Sequence, residues 1–339
     1  KYFNKGVIMD ITPLSPAVST HPSKWSLGII IANIILFFIF YYFLSFDSNA
    51  NAGICLLVFI GILWLTEAIH VTITALLIPL LAVVLGLLDT ANALKSFANP
   101  IIFLFFGGFA LATALHIQGI DRFIANRMIG FAKGKLWLAV IMLFVATALL
   151  SMWISNTATA AIMLPLGLGI LSNLDTKRDR NTFVFVLLGI AYSSNIGGFG
   201  TIVGSPPNAI AAAELDLDFF SWIKLGVPFM IVMLPSCIFL MYLVLKPKLN
   251  ATFDIKKENI VWGFHSISAI IIFVITAIAW IFSTKISAYF GGIKDIDSII
   301  AIAAVIAIGF TKTASWEQIQ KNTEWGVLML FGGGLALSA

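Results

Sequence analysis

The chain is 339 residues long, 60% hydrophobic and only 11% charged, with a formal net charge of +4 and a mean hydropathy of +1.02. A soluble domain carries about a quarter charged residues, so this composition excludes an ordinary soluble enzyme or a solvated nucleic-acid binder. Apolar runs near 20 residues point instead to a polytopic protein of the lipid bilayer.

The alternating pattern of a membrane barrel is absent, so the spans are expected to be α-helices, which satisfy their own backbone in lipid. Residues 1–25 lack the layout of a cleaved signal peptide and read as a membrane-surface segment or a trimmed end. Spans are predicted over 27–46, 52–69, 72–88, 98–120, 183–213, 225–245, 262–282 and 298–311, with a last one beginning near 325. Cys55 and Cys237 fall inside apolar runs, with no sign of a disulfide or a metal site. Glu67 in "WLTEAI" lies at a predicted span end, where it is either a functional acid or a wet cap.

Two loops carry a surplus of basic residues, 121–135 with Arg122, Arg127, Lys133 and Lys135, and 172–182 with Lys177, Arg178 and Arg180. The positive-inside rule puts both in the cytoplasm. The segment between them, 136–172, therefore begins and ends on one side. Its length suits two helical arms and a turn near Trp153–Thr159, a re-entrant hairpin; the competing reading is one long kinked span. Non-helical backbone at membrane depth is tolerated only where it is buried in protein or lines a wet cavity. Residues 214–218, with Glu214, Asp216 and Asp218, fall outside, and Lys246, Lys248, Lys256 and Lys257 mark the inside again.

"FLFFGGFALATA" (103–114) matches "LMLFGGGLALSA" (328–339), and by the loop assignment the two copies run in opposite directions. That is the signature of an inverted repeat. The expected layout is an N-terminal segment and first span (1–51), a first repeat (52–213) containing the hairpin 136–172 and an unwound helix within 183–213, a connecting span and cytoplasmic linker (214–261), and the start of a second repeat (262–339). In the first repeat a Ser-Asn-Thr triplet follows the Phe-Gly-Gly by about 48 residues, so the second triplet is expected past the last residue, on a longer protein.

The chemistry is expected in two interrupted stretches. "SMWISNTATAAIMLPL" (151–166) holds Ser151, Ser155, Asn156 and Thr157 at the hairpin turn, and "YSSNIGGFGTIVGSPPNAI" (192–210) places four glycines and two prolines in an apolar span. Unwinding frees carbonyl oxygens, hard ligands for an alkali cation, and the half-helix that follows points amide N–H groups at an anion. Neither stretch contains Lys, Arg or His, so a carboxylate there needs helix N-termini, neutral donors and a co-bound cation; the lack of Asp and Glu favours Na⁺ over Ca²⁺. A membrane hydrolase is disfavoured because Ser155 has no GxSxG context and no evident His partner, and a channel would show flux too fast for alternating access.

The strings "SNTATAAIMLP", "SNIGGFGTIVGSPPNAI" and "WLTEAI" with the FGG span, in this order, resemble the divalent anion:sodium symporters, the sodium-coupled di- and tricarboxylate carriers, over nearly the whole chain from about residue 52. The resemblance implies an all-α polytopic fold with scaffold and transport domains, an elevator-type motion, a homodimer, and a place in the cytoplasmic membrane. It implies Na⁺ ligands at Ser151, Ser155, Asn156, the Gly204 carbonyl and Asn208, and dicarboxylate contacts at Asn156, Thr157, Thr201 and Pro206. For Thr201 the competing reading is helix packing, and for Pro206 it is a plain helix breaker. The implied activity is Na⁺-coupled symport of C4-dicarboxylates such as succinate, malate or fumarate. Na⁺-independent exchange, or a citrate or sulfate carrier, stands as the alternative within the family.

Overall fold

The computed structural model describes residues 24–253 and 262–338, with the side chains from Trp25 onward. The N-terminal segment and the linker lysines Lys256 and Lys257 lie outside the described residues. No strand occurs among those described, only an isolated bridge between Lys135 and Thr252. Five helical stretches are long and apolar enough to cross a membrane, and the chain is a multi-pass membrane protein. It divides into two compact units, Lys1–Ala93 and Leu94–Ala339.

In the first unit α1 (Lys24–Phe43) packs on α2 (Ser48–Thr66), and α3 (Val71–Val84) follows. The α1–α2 contact is pinned by the buried Asn33, whose Nδ2 donates to the Phe59 carbonyl (2.9 Å), and by the Phe37 ring edge-on to Phe59. Asp47 caps α2 through the amides of Asn49 and Ala50. Glu67 is the exposed left-handed residue that ends α2, so the wet-cap reading fits its place. α4 (Thr90–Lys95) leads into the second unit.

The second unit holds α5 (Pro100–Ile117), α6 (Ile120–Gly130), α7 (Leu136–Ser151), α8 (Asn156–Ile170), α9 (Arg180–Gly198), α10 (Pro206–Glu214), α11 (Phe219–Leu245), α12 (Phe264–Ile281), α13 (Ser283–Tyr289), α14 (Ile296–Phe310), α15 (Trp316–Asn322) and α16 (Trp325–Ser338). α5 and α14 pack closely because Gly107 faces Ala301: a Cβ at 107 would stand 2.6 Å from the Ala301 Cβ. α7 and α9 meet at two glycines, with Gly189 under the Phe144 ring and Gly197 against the Ala148 backbone.

The long segments match the sequence reading, and the interruptions do too. Residues 136–172 fold as two helices separated by residues 152–155, and 183–213 is broken at residues 199–205, which include a 3₁₀ turn at Ile202–Gly204. α7 and α8 double back on each other: Ser151 meets Asn156 across the turn, and Leu143 lies beside Gly167 further down. Differences fall at the polar edges. α11 begins at Phe219 rather than 225, because Asp218 and Asp297 both cap its first amides. The basic loop 121–135 contains α6, the loop after 282 contains α13, and α15 opens with a Ser315–Gln318 capping box.

Candidate ion and substrate site

The turn between α7 and α8 faces the break between α9 and α10. Thr201, fully buried, donates its hydroxyl to the Met152 carbonyl and accepts from the Gly204 amide (3.2 Å), tying one interruption to the other. Asn208, also buried, closes the break: its Nδ2 donates to the carbonyls of Gly198 (2.7 Å) and Thr201 (2.8 Å). These are C-terminal and loop carbonyls of the kind a helix end leaves unpaired. Gly204 sits where no side chain fits, since a Cβ would stand 2.5 Å from the Gly198 carbonyl oxygen and 3.0 Å from those of Ser151 and Met152.

Asn156 lies at the centre. One end of its side-chain amide is 2.7 Å from the Ser151 hydroxyl, 3.0 Å from the Ser194 carbonyl oxygen and 3.2 Å from the Gly204 carbonyl oxygen. The other end is 3.3 Å from the amide oxygen of Asn195. If the inward atom is nitrogen, it donates to the surrounding oxygens. If it is oxygen, it completes a ring of four oxygens in which only the Ser151 hydroxyl can donate, an arrangement that a cation would relieve.

The site therefore brings together Ser151, Asn156, Gly204, Thr201 and Asn208. The Ser155 hydroxyl is the N-cap of α8, accepting from the Ala158 amide (3.4 Å). The Thr201 hydroxyl and the Asn208 Nδ2 bond to the backbone of the two turns. Thr157 is exposed on the first turn of α8, and Pro206 is the first residue of α10. Residue-by-residue reading did not single out Ser194, Asn195 or Ser205. A signal was there: the Ser-Asn pair at 194–195 repeats the pair at 155–156, and the two pairs meet in space through Asn195 and Asn156. Ser205 is the N-cap residue of α10 and makes no side-chain cap bond.

Two helix N-termini approach each other here, since α8 opens with Asn156 and its amide lies 3.2 Å from the carbonyl of Gly204, two residues before α10. Each carries roughly half a positive charge. No acidic or basic residue is among the side chains that converge. The α7–α8 turn is anchored on its far side by Trp153, which stacks on Trp280 (6.4 Å, 6°) and packs against Phe219 and Phe273.

Residues 61–339 match the family model described as citrate transporter. An uncharacterized transporter of Haemophilus influenzae is 58% identical over 318 residues, covering 92% of this chain and 69% of the relative. An uncharacterized transporter of Methanocaldococcus jannaschii is 39% identical over 315 residues, with the same two coverages of 92% and 69%. The sodium-dependent dicarboxylate transporter SdcS of Staphylococcus saprophyticus is 31% identical over 331 residues, covering 86% of this chain and 63% of that protein.

Proposed function

The chain belongs to the citrate transporter family, a family of carriers and not of enzymes, and from that premise we propose that it is a Na⁺-coupled importer of C4-dicarboxylates. The observation that carries the reading is the convergence of the Ser151 hydroxyl and the Ser194 and Gly204 carbonyls on one end of the Asn156 amide. Relatives named as sodium-dependent dicarboxylate transporters support the ion and the substrate class.

The amide supplies a coupling mechanism. Without Na⁺, Asn156 turns its nitrogen inward and satisfies the three oxygens itself. Its oxygen then faces outward and repels a carboxylate. With Na⁺, the oxygen turns inward as a fourth neutral ligand, and the nitrogen turns outward as a donor to the substrate. One ion thus creates the anion site by reversing one amide. The charge arithmetic agrees. A dicarboxylate brings two negative charges, the two helix N-termini offset roughly half a charge each, and Na⁺ supplies the remainder. Thr157, Ser205 and Pro206 flank the position the carboxylate would take, and the first-turn amides of α8 point at it.

α7 and α8 hold 16 and 15 residues, or about 24 Å and about 22 Å at 1.5 Å per residue, short of the roughly 30 Å hydrocarbon core. That length supports a re-entrant hairpin with its turn at membrane depth. Inverted repeats, an elevator-type motion of the hairpin-bearing body and a homodimeric scaffold in the cytoplasmic membrane complete the proposal, as the resemblance implies. Citrate or sulfate transport, and Na⁺-independent exchange, are the outcomes that would replace it.

The test is uptake of labelled succinate by the whole protein in proteoliposomes. An inward Na⁺ gradient is expected to drive accumulation of unmodified succinate, and replacement by choline to reduce it to background. Asn156→Ala, in a protein that still folds, is expected to abolish the Na⁺-driven component. Accumulation that ignores Na⁺, or wild-type uptake by that variant, overturns the reading. A panel of malate, fumarate, citrate and sulfate then fixes the substrate.

A further inference from the structure

Asn195 and Gly198 lie one turn apart on α9, and so on one face of that helix. The Asn156 side-chain amide rests against this face. A Cβ on Gly198 would stand 2.4 Å from the Asn156 Oδ1 and 3.0 Å from its Nδ2, so the glycine leaves the berth that the amide fills. Beside the berth, the outer end of the Asn156 amide is 3.3 Å from the Asn195 Oδ1. Ser194 serves the inner end instead: its carbonyl faces Asn156, while its hydroxyl turns back to the Ala191 carbonyl (2.9 Å). Asn195 is exposed, and its Nδ2 donates to no described residue.

An amide accepts at one end and donates at the other, and its two ends are nearly the same size. Turning it over changes its hydrogen bonding and leaves its packing alone. With the Asn156 nitrogen outward, Asn156 donates to the Asn195 oxygen, and the Asn195 N–H groups stay free. With the Asn156 oxygen outward, the same 3.3 Å separation sets oxygen against oxygen. Two acceptors with no proton between them are unfavourable. Asn195 removes the conflict by turning as well, so that its nitrogen donates to Asn156 and its own oxygen is left free. The orientation of one amide thus fixes that of the other.

We propose that Asn195 contacts the substrate carboxylate and reverses its amide together with Asn156. The proposal rests on the Na⁺-coupled reading above and adds a residue to its anion site. With Na⁺ at the inner end of Asn156, Asn195 offers the carboxylate two N–H groups. Without Na⁺, it offers an oxygen, which repels the anion. One ion therefore changes the sign of two neutral groups in a row, and the second of them does not touch the ion.

The relay makes a prediction that a packing role does not. Each orientation keeps one hydrogen bond between the two amides, so deleting the Asn195 amide removes as much from the Na⁺-free state as from the Na⁺-bound one. Na⁺ affinity in the absence of substrate stays the same. What falls is the factor by which saturating Na⁺ tightens substrate binding, and by linkage the factor by which substrate tightens Na⁺ binding falls equally.

The experiment is equilibrium binding of labelled Na⁺, and of labelled succinate or citrate, to the purified whole protein in choline chloride and in saturating NaCl. Asn195→Ala is expected to keep the wild-type Na⁺ affinity and to lose about tenfold in carboxylate affinity at saturating Na⁺, the loss of one hydrogen bond to a charged group. Asn195→Asp has the same shape and can only accept, so it holds the Asn156 nitrogen outward. Tighter Na⁺ binding and weaker carboxylate binding are expected of it together. An Asn195→Ala variant with the wild-type coupling factor, or one that loses Na⁺ and carboxylate affinity alike, overturns the relay, as does an Asn195→Asp variant with unimproved Na⁺ binding. Wild-type carboxylate binding that ignores Na⁺ overturns the symport reading and the relay with it. Wild-type coupling that survives whole in Asn195→Ala removes the relay and leaves the symport reading standing.

Discussion

The Asn208 side chain donates to the Gly198 carbonyl at 2.7 Å and, from the same nitrogen, to the Thr201 carbonyl at 2.8 Å. α9 ends at Gly198, and a helix end leaves its last carbonyls without intrahelical donors. At the surface water would take them; in this buried place one amide serves both. Asn208 thereby holds the break open in one shape and orients the Gly204 carbonyl toward Asn156. Asn208→Ala is expected to leave two buried carbonyls unpaired and to cost about 1–3 kcal/mol for each. Asn208→Asp should be worse, since a carboxylate would face those oxygens. Thermal unfolding in detergent checks the order wild type, Ala, Asp, and uptake is expected to fall in parallel.

Thr201 makes a narrower prediction. Its hydroxyl links the Met152 carbonyl to the Gly204 amide, so it joins the α7–α8 turn to the α9–α10 break. Thr201→Val keeps the volume and removes both bonds, and Thr201→Ser keeps both. The expected result is a weaker apparent Na⁺ affinity in Thr201→Val, by about tenfold if about 1.4 kcal/mol of positioning is lost, with Thr201→Ser close to wild type. A Val variant with unchanged Na⁺ dependence would show that the tether does not set the ion site.

Much of this arrangement was legible in the sequence because it breaks a strong pattern. A run as apolar as 136–172 has no reason to carry Ser151, Ser155, Asn156 and Thr157 in its middle unless the helix stops there, and the structure stops it at residues 152–155. The Pro pair at 206–207 and the glycines before it mark the second break in the same way, and α10 starts at Pro206. What pattern could not supply is direction. Ser155 and Ser151 look alike in the string, yet one caps α8 and the other faces Asn156, because they sit on opposite sides of the turn. Asn195 and the Ser194 carbonyl escaped notice because they lie inside a regular helix, where backbone oxygens are ordinarily spent. The bond from the Phe219 amide to Asp297 spans 78 positions, a distance at which no local signal operates.

Asp89 offers a pH test far from the ion site. It precedes α4, and its carboxyl is held below the usual carboxylate range by the Asn92 amide and then by the Asn92 side chain, against a small opposing effect of desolvation. A lowered pKa in the folded state means that the cap stabilises α4 above the unfolded value, about 3.9, and that this is lost as pH falls through the lower folded value. At neutral pH the cap is therefore fully formed. Exchange of the amides of 92–95, corrected for intrinsic rates, is expected to accelerate only in acid. Asp89→Asn should abolish that acid step while leaving exchange in α5 and the helices after it unchanged.

The close approach of α7 and α9 sets a steric prediction. A Cβ on Gly197 would lie 2.3 Å from the Ala148 carbonyl oxygen and 2.5 Å from its Cα, both backbone atoms that cannot swing aside. Gly169, on α8, has open space around the same position. Alanine favours a helix interior over glycine by roughly 1 kcal/mol, so Gly169→Ala is expected to be neutral or slightly stabilising. Gly197→Ala gains the same propensity and meets a clash whose relief costs about 1–3 kcal/mol. It must push α9 from α7 one residue before the carbonyl that Asn208 holds and next to the Asn156 site. A lower unfolding temperature and a weakened Na⁺ response are expected together for Gly197→Ala, and neither for Gly169→Ala. Equal behaviour of the two variants would show that the helices part without disturbing the site, and would remove the α7–α9 contact from the account of how the ion ligands are positioned.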